Sequence, residues 1–283
     1  MQQRFERPAS VEQAARLLAA GRWQVLAGGT DLYPAHVGRK VAAPLLDITG
    51  IAALRGIRRD DAGWTIGATT TWSDVARADL PPLFDALRAA AREVGGVQIQ
   101  NTATVAGNLC NASPAADGTP VLLAMGASVV LRSERGERVL PLAQFVLGNR
   151  HTARAADELV VAVRVPARSA RARSAFAKLG GRRYLTIAVT TVAAVLDPDG
   201  AGAIGSAGVA VGSCAAAARR LPALEARLVG VPAGADLGAL VQAADLSPLA
   251  PIDDVRGSAA YRLDATATLL RRALRALSAT APR

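Results

Sequence analysis

Several residue types that usually mark function are scarce in this chain of 283 residues. Its two cysteines, Cys110 and Cys214, lie far apart and form no CxxC, so no disulfide framework is indicated. Nor can they supply the four thiolates that an iron–sulfur cluster usually takes. The only histidines, His36 and His151, have no metal-ligand spacing, and no catalytic triad is visible. Aromatic residues make up 4% and are not interleaved with basic ones, which gives stacking on nucleobases little support. No apolar run approaches a membrane span, and the N-terminus lacks the apolar centre of a signal peptide. A cytoplasmic protein is expected, periplasmic only by export with a partner. Only Lys40 and Lys178 are lysines, so arginine carries nearly all of the positive charge behind a net +10. Such a balance raises nucleic acid as a partner. The arginines are nevertheless scattered, with the densest groups at Arg168-Arg171-Arg173, Arg182-Arg183, Arg219-Arg220 and Arg271-Arg272-Arg275. A solvated basic surface explains this best, then an acidic partner subunit or an anionic cofactor.

What is present centres on residues 102–127, TATVAGNLCNASPAADGTPVLLAMGA. Its first half is built from small residues, which let a backbone approach a ligand closely, and Gly107 permits conformations that other residues resist. Thr104, Asn108, Ser113 and Asp117 add hydrogen-bonding side chains. A tight turn packing on a core helix accounts for the same residues equally well. A second stretch, residues 25–34, reads VLAGGTDLYP. After a strand end, Gly28-Gly29-Thr30 would present successive backbone N–H groups, a nest suited to a pyrophosphate. A carboxylate beside phosphates is repulsive, so Asp31 is expected to turn away and cap the segment beginning at Leu32.

Elsewhere the pattern predicts a helix over 10–20 capped by Ser10, then strands at 24–27 and 44–48, a small β-α-β unit. Residues 54–57 and 64–68 read as a hairpin, Ser73 as a cap, and the stretch from after Pro81-Pro82 to about Val94 as a helix ended by Gly95-Gly96. Strands follow at 128–132, 138–140 and 159–165, with a basic linker over 167–174. Strands at 186–196 and 204–211 and helices at 221–228 and 258–277 complete the chain. In the last helix Leu263, Leu270, Leu274 and Leu277 are expected inward and Arg271, Arg272 and Arg275 outward. Residues 200–205 spell GxGxxG, but residues 207–211 read as a strand rather than a helix, so the glycine run is expected to form a hairpin loop.

Taken in order, AGGTDL, GATTTWSDV, QIQNTATVAGNLCNASPAAD, DELVVAVRVP, FAKLGGRRYLTIAVTTVAAVL and DDVRGSAAYR resemble the FAD-binding subunit of the molybdenum hydroxylases, the xanthine dehydrogenase and carbon monoxide dehydrogenase family. The likeness covers nearly the whole chain, and the NLCNASPAAD wording is nearer the xanthine dehydrogenase side. It implies an α+β protein: two α+β lobes of the vanillyl-alcohol-oxidase/PCMH type (1–57 and 58–168), then an α/β C-terminal lobe (174–283). It implies FAD as cofactor, with Ala27, Gly28, Gly29, Thr30, Asp31 and Leu32 in a first pyrophosphate loop and Thr104, Val105, Ala106, Gly107 and Asn108 in a second. Asp117 would contact the adenosine end, Leu159 and Val161 would line the flavin pocket, and Lys178 would lie close to the flavin. A plain surface lysine accounts for Lys178 equally well. The 2Fe–2S clusters and molybdopterin cofactor would sit on partner subunits, from which electrons reach FAD and then an external acceptor such as NAD. The chain departs from the family at Gln100, where arginine is usual, and at Thr186, where many relatives are acidic. A covalent flavin on His36 or His151, as in some oxidases of related fold, is a further reading, but neither lies in the small-residue loops, and ordinary surface or loop histidines account for them far better. A stand-alone FAD-dependent oxidase or reductase and a non-enzymatic basic binding or assembly protein are the alternatives.

Overall fold

The computed structural model describes residues 4–279. The first unit is β1 (Phe5–Glu6), α1 (Val11–Ala20), β2 (Gln24–Leu26) and β3 (Leu45–Asp47), with the strands parallel in the order β1-β3-β2. Ser10 caps α1 as expected, its Oγ accepting from Gln13 N at 3.2 Å. The helix buries Ala14, Ala15 and Leu18 at helical spacing.

A five-stranded antiparallel sheet follows, built from β4 (Ile57–Asp60), β5 (Gly63–Gly67), β6 (Ser128–Ser133), β7 (Gly136–Pro141) and, after the short pair β8 (Val146–Gly148) and β9 (His151–Thr152), β10 (Leu159–Pro166). Its order is β4-β5-β10-β6-β7. The first strand of the first hairpin sits later than expected: residues 52–54 form a 3-10 turn, and Ile57 opens the strand. Asp60 causes the shift, since its Oδ1 accepts from Ala62 N and Gly63 N at 2.9 and 3.0 Å and closes a tight turn.

The helices between or beside these strands are α2 (Trp72–Arg77), α3 (Asp85–Glu93), α4 (Val97–Thr102), α5 (Val105–Asn111), α6 (Gly118–Ala124) and α7 (Leu142–Phe145). Thr71, not Ser73, caps α2, in a reciprocal box with Asp74. Ser73 lies inside the helix and donates to Asn101 Oδ1 at 2.6 Å.

The C-terminal region is an antiparallel sheet of β11 (Arg173–Gly180), β12 (Ala188–Pro198), β13 (Ile204–Gly212) and β14 (Arg219–Arg220), with α8 (Pro222–Leu228) and α9 (Ala259–Ala279). β11 already begins at Arg173, so the expected linker is shorter than 167–174. Alternation along β12 splits its side chains between two faces. Ala193 and Val195 join the core shared with α3 and α6, while Val192, Ala194 and Leu196 join the core under α8 and α9. A Cβ on Gly208 would lie 2.0 Å from the Ala124 carbonyl oxygen, so α6 rests directly on β13. In α9 Leu270, Leu274 and Leu277 face inward and Arg272 and Arg275 outward; Arg262, by contrast, is buried. Among the described residues no helix is long and apolar enough to cross a membrane.

Candidate functional site

β2 ends at Leu26, and residues 27–32 leave it as an open loop. Among the described residues, no acceptor pairs with the backbone N–H of Gly28, Gly29, Thr30, Asp31 or Leu32. Gly29 takes φ +69°, the left-handed region that favours glycine. Residues 28–32, where the sequence predicts a nest, thus carry successive amides that the chain itself leaves unmatched.

Gly28 joins this loop to the second one. A Cβ there would lie 2.0 Å from the Thr102 carbonyl oxygen, so only glycine permits the approach. Thr102 ends α4 and leads through Ala103 into α5. That turn is fixed by Trp72 N donating to Ala103 O (3.1 Å) and Val105 N to Thr70 O (2.9 Å). Thr104 caps α5 by accepting from Gly107 N at 3.0 Å. Val105 and Ala106 are buried, which turns the polar side of α5 outward. Asn108 keeps a buried Oδ1 with no partner among the described residues. Cys110, on the same helix, has its thiol pushed up to about 11 by burial, so it stays neutral.

Asp31 does turn away from the amides, but its side chain caps no helix among the described residues. Its Oδ1 accepts from Asn111 Nδ2 at 3.0 Å, because Asn111, at the end of α5, lies within reach. Sequence reasoning missed Asn111. The signal was there: Asn108 and Asn111 are three apart, hence on one face of a short helix.

Lys178 is not a surface lysine. Its side chain is 6% exposed, and its Nζ donates to Asp117 Oδ2 at 2.7 Å and to the Glu93 carbonyl at 3.3 Å. The sheet explains the meeting: Lys178 stands opposite Thr191 on the strand face that carries α6, and Asp117 immediately precedes α6. Burial raises the Asp117 carboxyl to about 6, and the Lys178 ammonium only partly offsets it. Its other oxygen, Oδ1, is buried without a partner among the described residues.

Leu159 is a core residue, packed with Ile51 and Leu54 in the cluster that also takes in Ala27 and Val161. The Val161 carbonyl accepts from Ala68 N at 3.0 Å, beside a bulge in β10. Gln100 reaches the Arg92 carbonyl at 3.0 Å, bridging α4 to α3, and Thr186 packs against Gly180. His36 Nδ1 lies 2.8 Å from the Leu32 carbonyl oxygen. His151 lies in β9.

Unmatched amides set against a helix of small residues, with an unmatched amide oxygen on that helix and an unmatched carboxylate oxygen just ahead of α6, fit a ligand that carries phosphates and hydrogen-bond donors. Residues 1–168 match the family described as FAD binding domain in molybdopterin dehydrogenase, and residues 174–277 match the CO dehydrogenase flavoprotein C-terminal domain. The chain belongs to the FAD-binding subunits of the molybdenum hydroxylases. It is 32% identical to the 6-hydroxypseudooxynicotine dehydrogenase complex subunit alpha of Paenarthrobacter nicotinovorans, over 94% of this chain and 90% of that one. It is 31% identical to the carbon monoxide dehydrogenase medium chain of Hydrogenophaga pseudoflava, over 96% of each. The fold superposes on the cyanide-inactivated Cu,Mo-CO dehydrogenase with a TM-score of 0.88, at 27% identity and 98% coverage of both chains. Like these relatives, this molybdenum hydroxylase subunit is an FAD-binding oxidoreductase component.

Proposed function

We propose that this subunit holds FAD across the two loops and passes electrons from the 2Fe–2S clusters of a partner, fed by a molybdenum-cofactor subunit, to an external acceptor such as NAD. The observation that carries this is the run of unmatched amides at 28–32, set against α5 by the Gly28–Thr102 contact. Those amides, with Thr104 to Asn108 beside them, would take the pyrophosphate. Asn111 holds the Asp31 carboxylate off the phosphates. Asp117 and Lys178 would serve one portion of the cofactor together, since they are 2.7 Å apart. In that arrangement Asp117 Oδ1 accepts from a cofactor hydroxyl or N–H while Lys178 keeps the carboxylate charge balanced. Bound FAD would supply one-electron uptake and two-electron release. The three-part division at 1–57, 58–168 and 174–283 would then put the nest in the first part, α5 and Asp117 in the second, and Lys178 in the third.

An apolar patch flanks this site. Val97, Tyr184, Leu185 and Ile187 are more than half exposed, and Leu185 packs on Gly96. A partner that brings an electron donor close to the flavin would cover such side chains. The test is an absorption spectrum of the purified chain, before and after heat release of cofactor, alone and co-expressed with iron–sulfur and molybdenum subunits. FAD release and a stable complex support the reading. A colourless chain that FAD does not reconstitute overturns it.

A further inference from the structure

Arg262 is 3% exposed, at the end of the first turn of α9. Its Nη1 donates to the Val189 carbonyl at 2.6 Å and to the Ser213 carbonyl at 3.1 Å, and its Nη2 to Asp254 Oδ1 at 2.7 Å. Its Nε is buried with no acceptor among the described residues. A guanidinium buried with one donor unmatched is a costly device for tying a helix to a sheet, where apolar packing alone would serve. What it holds suggests why it is kept.

Ser213 follows β13 and takes φ +64°, a strained conformation for a residue with a side chain. Its hydroxyl is buried without a partner among the described residues. Its own N–H donates to the Pro114 carbonyl at 2.9 Å. Pro114 lies in the segment that runs from α5 to Asp117. Among the described residues, two hydrogen bonds tie residues 113–117 to the C-terminal sheet: this one, and Lys178 to Asp117. Ser213 also adjoins Gly212, which stands opposite Thr191, itself opposite Lys178. Both ties therefore spring from the same end of the sheet. Arg262 clamps that end, gripping β12 just inside its start and the residue just past β13.

We propose that Arg262 is a positioning residue for the cofactor site: through the strained Ser213 backbone it fixes residues 113–117 and so sets where Asp117 meets its ligand. The step to the ligand rests on the FAD reading above; the brace itself does not.

The test compares full-length wild type with Arg262→Met and Arg262→Lys. Hydrogen exchange is followed in the cofactor-free proteins, and FAD affinity by flavin fluorescence. Exchange over residues 111–118 should quicken in both variants while α1 and β3 keep their protection. Loss of the Ser213 tie should weaken FAD about tenfold in Arg262→Met. Arg262→Lys should fall in between, since an ammonium cannot serve acceptors in a planar fork. If Arg262→Met does not fold, Arg262→Lys decides with the same readouts. A folded variant with unchanged exchange over 111–118, or with exchange quickened everywhere, overturns the proposal. If wild type takes up no FAD, the functional reading fails and the exchange result alone decides the brace.

Discussion

Two glycine-rich turns in this chain have opposite fates. Residues 200–205 match a dinucleotide fingerprint letter for letter, while residues 27–32 match only the looser pattern of a nest. In the first, Asp199 closes the turn on itself: its Oδ1 accepts from Ala201 N at 2.9 Å and Ala203 N at 3.0 Å, and its carbonyl accepts from Gly202 N at 3.3 Å. In the second, the one carboxylate, Asp31, is drawn off to Asn111 and the amides stay unmatched. Glycine content does not distinguish the two turns. What does is whether the loop's own acceptors satisfy its donors.

The largest expected effect comes from the polar side of the site. Lys178→Met leaves the Asp117 carboxylate buried without a counter-ion and should cost about 3 kcal/mol or more of stability in denaturant unfolding. The double variant Lys178→Met/Asp117→Leu should recover most of this, because the cost is the unpaired charge. Next, Gly28→Ala drives a Cβ into the Thr102 carbonyl and should cost about 2 kcal/mol together with FAD binding. Gly202→Ala, at φ +85° with open space around it, should cost about 1 kcal/mol and leave FAD binding unchanged. Equal loss of FAD affinity in both would erase the contrast. A smaller effect sharpens it: Asp199→Ala frees the amides of Ala201 and Ala203 and should lower stability by about 1 kcal/mol without creating a second flavin site, read by FAD stoichiometry.

A separate effect is on pH. The Asp117 carboxyl is raised from an ordinary 3.8 to about 6 by burial. The folded state therefore favours the protonated form. Its contribution to stability is full below the unfolded value and is lost as pH rises through about 6. Unfolding of the cofactor-free chain from pH 4 to 7 should show this decline in wild type and lack it in Asp117→Asn.

Much of this was legible in the sequence, because local rules dictated it. Ser10 caps its helix, the alternating residues of 204–211 pair with 188–198, and GxGxxG fails its own context test. What escaped depends on contacts between distant segments. Asp31 finds Asn111 80 positions away, and Lys178 finds Asp117 61 positions away. Periodicity does not encode such pairs. Nothing in the sequence sets Arg262 apart from the other arginines of the last helix; only the sheet end beneath it makes it a buried clamp. The misplaced cap at Ser73 is a local error of another kind, since the i, i+3 spacing of a capping box belongs to Thr71 and Asp74, and Ser73 lies between them.

The central claim is that unmatched amides at 28–32 recognise the phosphates of the cofactor. The most direct measurement is a titration of the cofactor-free chain with FAD and with riboflavin, which has the same ring and no phosphate. The account predicts that FAD binds about a hundredfold tighter, the order expected from a few charge-assisted hydrogen bonds, and that Gly28→Ala abolishes the difference. Equal affinities for the two ligands in wild type would contradict it.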